Sequence, residues 1–205
     1  MRKTLLLLAL AAALAGCSSA PEKPKESAAA PAKPAEKKNQ YETGRVAFQK
    51  TYISARGWAA DAKPFRLESD CGHDSPVAEG KCGVWKAVFA SSMQRGIKPY
   101  MWSGIDAPDA PAPGVNPGQE DDYNPSNPNT QPFDLSFLKQ DSDKAFEVAQ
   151  KHGGEKIMKK DPKTPVSFTL DWWPKENKLK WHVSYGTQLR VAVDATTGDF
   201  LKVEK

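Results

Sequence analysis

The chain has 205 residues with 29 Lys plus Arg against 25 Asp plus Glu, a formal charge of +4. Divided by region, the excess belongs to the first 40 residues, because residues 41–205 hold 22 basic and 22 acidic side chains. The remainder therefore has no net basic charge of the kind that nucleic acid binding requires, and nucleic acid is excluded as an expected partner.

In chain order, Arg2 and Lys3 precede an apolar run from Leu5 to Ala15 that ends in small residues, the arrangement of a secretory signal. The run is too short to cross a bilayer, which takes about 20 apolar residues. Leu14-Ala15-Gly16-Cys17 resembles the lipobox of bacterial lipoproteins. The resemblance implies a signal peptide over residues 1–16, cleavage before Cys17, and acylation of that cysteine with palmitate-type chains. Several acyl chains exceed the two signals that stable anchoring needs, so the expected partner here is the membrane itself. Ser18 is not the aspartate that favours inner-membrane retention in such lipoproteins. The implied address is the cell envelope, facing periplasm or exterior, at the outer membrane where the host has two. Residues 17–40, rich in Ala, Pro, Lys, Glu and Ser, hold no aromatic or β-branched side chain to bury and predict a disordered, lipidated tether.

Residues 41–104 predict a helix within ETGRVAFQKTYISARGW, with Phe48, Tyr52 and Ala55 at helical spacing. Three strand-like runs follow it: KPFRLES, GVWKAVFASS and GIKPYMWSG. Between the first two lies CGHDSPVAEGKC, with Cys71 and Cys82 around His73. A redox pair would be separated by two residues, and zinc would need a fourth ligand at unusual spacing. In an exported chain with Cys17 taken by lipid, the remaining even count predicts a Cys71–Cys82 disulfide.

Residues 105–134 hold seven prolines with Asn-Pro and Pro-Gly turn signals. A segment this long is expected to be either a linker or a functional loop. Its Glu120-Asp121-Asp122 lacks the acid-spacer-glycine rhythm of a calcium loop and is expected to be a solvated acidic turn; no metal or other cofactor is expected.

Residues 135–205 predict a second helix in DSDKAFEVAQKHGG, capped by Asp141 or Ser142, with Ala145, Phe146 and Ala149 on one face and Gly153 as a stop. Three alternating runs follow, VSFTLDWW, KLKWHVSYG and LRVAVDATTGDFLKV, with Gly198 free to take positive φ in the last turn. The fold class expected is therefore α+β: two similar units of one helix and an antiparallel meander, either packed together or sharing one curved sheet.

The elements Asp143-Lys144-Ala145 through Ala149, Trp181-His182-Val183, and Val193-Asp194-Ala195 with Thr197-Gly198-Asp199 resemble a PepSY domain over about 65 residues. The first unit lacks the final turn motif and joins the resemblance only through the repeated plan. PepSY domains resemble a bacterial inhibitor fold and are non-catalytic modules of secreted and envelope proteins. The resemblance implies binding or inhibition of a protein or peptide partner, with no functional residues to carry over.

No Gly-x-Ser-x-Gly elbow, His-Glu-x-x-His pair or phosphate-binding glycine loop occurs in the chain, so no enzymatic activity is expected. His152 falls at a helix end, where a charge or donor is favourable. His182 shares the outward phase of its strand with Lys180 and Ser184 and is expected to be solvated. Of six tryptophans, Trp85, Trp172 and Trp181 fit inward positions, whereas Trp102 at a strand end and Trp173 on the opposite phase from Trp172 do not. Trp102, Trp173 and His182 are thus the candidate binding surface. The alternative is an envelope hydrolase or glycan-modifying enzyme with a dispersed acid and histidine site.

Overall fold

The computed structural model describes residues 39–72, 79–127 and 131–204. Cys17, the signal, nearly all of the tether and His73 lie outside the described residues. A short strand β1 (Glu42–Thr43) leads into helix α1 (Gly44–Trp58). Its buried residues, Gly44, Ala47, Phe48, Thr51 and Ala55, recur at steps of three and four and form one stripe. Then come β2 (Lys63–Ser69), β3 (Lys81–Cys82), β4 (Val84–Ser91), β5 (Gly96–Ser103), β6 (Gly114–Pro117) and β7 (Asp121–Asp122). The chain continues through α2 (Ser142–Ala149), a kink over Gln150–Gly154 and α3 (Glu155–Lys160). It ends in β8 (Val166–Trp173), β9 (Lys178–Tyr185), β10 (Leu189–Asp194) and β11 (Phe200–Glu204).

β1 pairs with β3, and the other nine strands form one antiparallel sheet in the order β11-β10-β9-β8-β2-β4-β5-β6, with β7 also on β5. The architecture is α+β, with helices packed on a large sheet: α1 lies over β2, β4 and β5, and α2 over β9 and β10. The described residues belong to one compact unit. Strand alternation explains the core. Phe168 and Leu170 of β8, Trp181 and Val183 of β9, and Trp85, Ala87 and Phe89 of β4 all point to the helix side and are buried. Trp85 and Trp181 meet edge to face at 6.3 Å, and the N-terminus of α1 rests on both indoles. A Cβ at Gly44 would come within 2.6 Å of the Trp181 ring, so glycine is what permits that approach. Among the described residues no helix is long and apolar enough to cross a membrane.

Two local features go beyond expectation. Gly153 ends the second helix as expected, with φ +117° beside a non-helical His152, but the chain turns helical again as α3 where only a lysine-rich turn is expected. The reason is tertiary: a Cβ on the neighbouring Gly154 would meet the Tyr185 hydroxyl at 2.3 Å, so paired glycines let the bend settle on that buried ring. The proline-rich segment is also more than a spacer. It supplies β6 and β7 to the edge of the sheet, and its buried Phe133 donates its N–H to the Pro64 carbonyl at 2.9 Å.

Asp141 caps α2 through Ser142 N–H, and it also takes Arg45 N–H of α1 at 2.8 Å. Ser142 Oγ accepts from Gly44 N–H at 2.8 Å and donates to the Gly80 carbonyl at 2.7 Å. The start of the second helix thus caps the start of the first.

Cys71 and Cys82 form a disulfide with Cα atoms 5.3 Å apart, closing the connection between β2 and β4. A loop of this size predicts a loss of about 3 kcal/mol when both cysteines become serine. Urea denaturation of the two forms measures it, and equal midpoints would show that packing alone holds this corner.

Candidate functional site

The sheet face opposite the helices is the surface on which most of the chemistry collects. Cross-strand register lays its outward side chains in rows. One row runs Asp194, Lys180, Asp171, Arg66 across β10, β9, β8 and β2. The next runs Lys202, Ala192, His182, Thr169, Glu68, Lys86 across six strands. Signs alternate along the first row, so unlike charges lie opposite one another as favourable cross-strand pairs.

At the centre is His182, whose side chain is 0% exposed. Its Nδ1 lies 2.8 Å from Glu204 Oε2. Nε2 lies 3.2 Å from Asp171 Oδ1 without hydrogen-bond alignment, a contact of charge rather than a directed bond. Glu204 reaches the ring from β11 because the intervening residue on β10 is Ala192, too small to block it. Each ring nitrogen thus faces one carboxylate. The expectation of a solvated His182 is therefore wrong, although the ring does point away from the helices.

Trp173 sits beside this group. Its indole N–H donates to Asp171 Oδ1 at 2.8 Å, and its ring centroid lies 5.6 Å from that of His182. Lys180 Nζ lies 4.3 Å and Lys202 Nζ 5.2 Å from the Trp173 centroid, the geometry of cation–π contact. Lys180 is fully buried, with Nζ 2.6 Å from Glu176 Oε1 but again without hydrogen-bond alignment. The Trp173 ring compensates that buried charge.

Burial pushes the Asp171 carboxyl up, yet the contact and charge of His182, the Trp173 N–H and the Arg66 charge together hold it below its usual value. Burial likewise raises Asp194, and Lys178 with the N–H groups of Thr196 and Thr197 outweighs it. Both folded values are depressed, so the stability they confer is complete above the ordinary value of 3.8 and is lost as pH falls through the folded value. Thermal melts should therefore drop steeply in acid, and Asp194→Asn should flatten that limb; an unchanged limb would assign it to other carboxylates.

The other residues that the sequence singles out lie elsewhere, and one needs correction. Trp102 is 4% exposed on the helix side, with Lys50 Nζ 4.4 Å from its ring, because its register opposite Trp85 turns it inward. It is not part of an exposed surface, and the structure does not bring it near His182 and Trp173. His152 stacks on Phe200 at 3.7 Å near the β11 edge. Glu120, exposed as expected, also accepts from Trp58 Nε1–H at 3.0 Å and lies 3.7 Å from Lys98. Sequence reasoning missed Asp171, Glu204 and Lys180. Asp171 and Lys180 carried a signal in sharing the phase of Trp173 and His182, but Glu204, on a strand separated from that of Asp171 by β9 and β10, had none.

On the other half of this face, Val88, Ile97, Pro99 and Met101 of β4 and β5 are partly exposed. The chain matches no protein-family model, no curated protein and no solved structure.

Proposed function

We propose that the chain is a membrane-anchored envelope lipoprotein whose folded part is a non-catalytic docking or inhibitory module for a protein or peptide, engaged through the helix-free sheet face. One observation carries this reading: among the described residues α1 and α2 pack on one side of the sheet, while the other offers partly exposed Val88, Ile97, Pro99 and Met101 beside a charge-paired half centred on Trp173. An apolar zone with a polar surround is the anatomy of protein docking surfaces. Lipid on Cys17 would retain the module and the tether would give it reach.

We read the two halves as diverged copies of one plan, a helix followed by a meander. Their first long strands, β2 and β8, are antiparallel neighbours at the centre of the sheet, as copies related by a local twofold would be. The PepSY resemblance of the second half agrees with an inhibitor-like role. The hydrolase alternative is disfavoured because both ring nitrogens of His182 face carboxylates and the side chain has no solvent access.

The test uses the full chain in envelope membranes, with a photo-crosslinking residue at Met101 or Trp173 and a control at Ile53 on the far side of α1. A discrete adduct from the first two positions and none from Ile53 is expected. Adducts from Ile53 alone, or hydrolysis of a peptide or glycan panel by the purified chain, would overturn the reading.

A further inference from the structure

The central seam of the sheet does not close along its length. β2 and β8 pair for three residues only, Arg66 with Asp171, Leu67 with Leu170 and Glu68 with Thr169. The same register would next pair Ser69 with Phe168 and Cys71 with Val166. Instead the Ser69 side chain takes the Phe168 N–H at 2.8 Å, and the strands part. Between them lies a cleft of about 530 Å³, lined by Ser69 to Gly72 on one side and Pro162 to Ser167 on the other. It adjoins a depression of about 290 Å³ on the helix-free face, and the two share Ser69, Asp70 and Ser167. The larger volume is in the range of ligand sites.

The main chain on both walls is aimed into this cleft. The Pro165 carbonyl accepts from Gly186 N–H at 2.8 Å, on the β9 side. Strand alternation then turns Val166 N–H and C=O the opposite way, toward β2, in phase with the Phe168 N–H that meets Ser69. On the other wall Asp70 N–H goes to the Val84 carbonyl of β4 at 2.9 Å, which turns Cys71 toward β8. The walls are held apart by covalent features: the disulfide draws Cys71 to β3, away from β8, and Pro162 and Pro165 stiffen the opposite approach. The result is the first residues of β8 and the main chain just past β2 facing each other across a slot.

We propose that the open end of this seam is a binding site for an extended peptide segment, which enters between Cys71 and Val166, beyond the Ser69–Phe168 bridge, and extends the sheet with main-chain hydrogen bonds. The assignment rests on the docking reading above and names its mode, strand addition at an interior gap rather than at an outer edge. Main-chain pairing makes recognition tolerant of sequence.

The test titrates a fluorescent, end-blocked heptapeptide of alternating threonine and valine into the full chain in detergent micelles, alongside the same peptide N-methylated at alternate residues. The unmethylated peptide should bind and slow amide exchange at Val166, and the methylated one should bind about tenfold or more weakly, having lost its donors. Val166→Pro, which removes a cleft-facing N–H at the first residue of β8, should weaken binding comparably. Ile53→Ala, on the exposed side of α1 and away from the seam, should leave it intact. Should Val166→Pro fail to fold, the methylated peptide decides alone. Equal binding of both peptides, protection that misses Val166, or no binding overturns the seam as the site, while the docking reading stands or falls on its own cross-link pattern.

Discussion

Replacing His182 by alanine should destabilise the fold by about 3 kcal/mol, the low end of the cost of breaking a buried ion pair by removing one partner. The ring touches carboxylates from β8 and β11 while lying on β9, so one side chain ties strands that are not all neighbours. Its loss would strand Glu204, whose side chain is only 15% exposed, and Asp171. The loss stays at the low end because Glu204 keeps Arg190 Nε at 3.2 Å and Asp171 keeps the Trp173 N–H. His182→Gln, which retains one polar contact and most of the volume, should cost less than alanine. Urea titrations of the three forms decide it, and an alanine variant within about 0.5 kcal/mol of the parent would mean that the two carboxylates pair elsewhere without loss.

Trp181→Ala should have the larger effect, about 3–5 kcal/mol, the range for deleting a large aromatic from a packed interior. The side chain is fully buried, donates its indole N–H to the Gln140 carbonyl at 3.0 Å, and packs edge-on against Trp85. Gly44 lies on the same ring, so the cavity would open beneath α1 and beside the segment leading into α2 together. Trp85 donates to the Glu42 carbonyl at 2.9 Å and supports the same helix start. Trp85→Ala should therefore be comparable, and the double variant should cost less than the sum because the two cavities merge. Strict additivity, or a loss below about 1.5 kcal/mol for Trp181→Ala, would show that α1 is held elsewhere.

Much of this architecture is legible along the chain because its determinants are local. Strand alternation in VSFTLDWW and KLKWHVSYG alone separates Phe168, Leu170 and Trp181 from Asp171, Trp173 and His182. Turn chemistry locates Gly198, which has φ +82°, and the spacing and count of the cysteines anticipate the disulfide. What local pattern could not supply is the environment of a side chain once its direction is known. His182 and Lys180 point outward as their phase requires, yet both are sealed, because Glu204, Glu176 and Trp173 arrive from other elements and cover them. Trp102 departs from expectation for the complementary reason, its strand continuing far enough to set it opposite Trp85.

The sequence by itself thus determines α1, α2 and the long strands of the sheet, and which side of β8 and β9 is apolar, since period and turn chemistry act within a few residues. Only the tertiary structure decides that β2 and β8 join both halves into one sheet, that Ala192 opens a path from Glu204 to His182, and that the seam parts after Glu68. The first and last of those outcomes depend on register between segments about 100 residues apart, and the second on register among three strands, none of which a local period encodes.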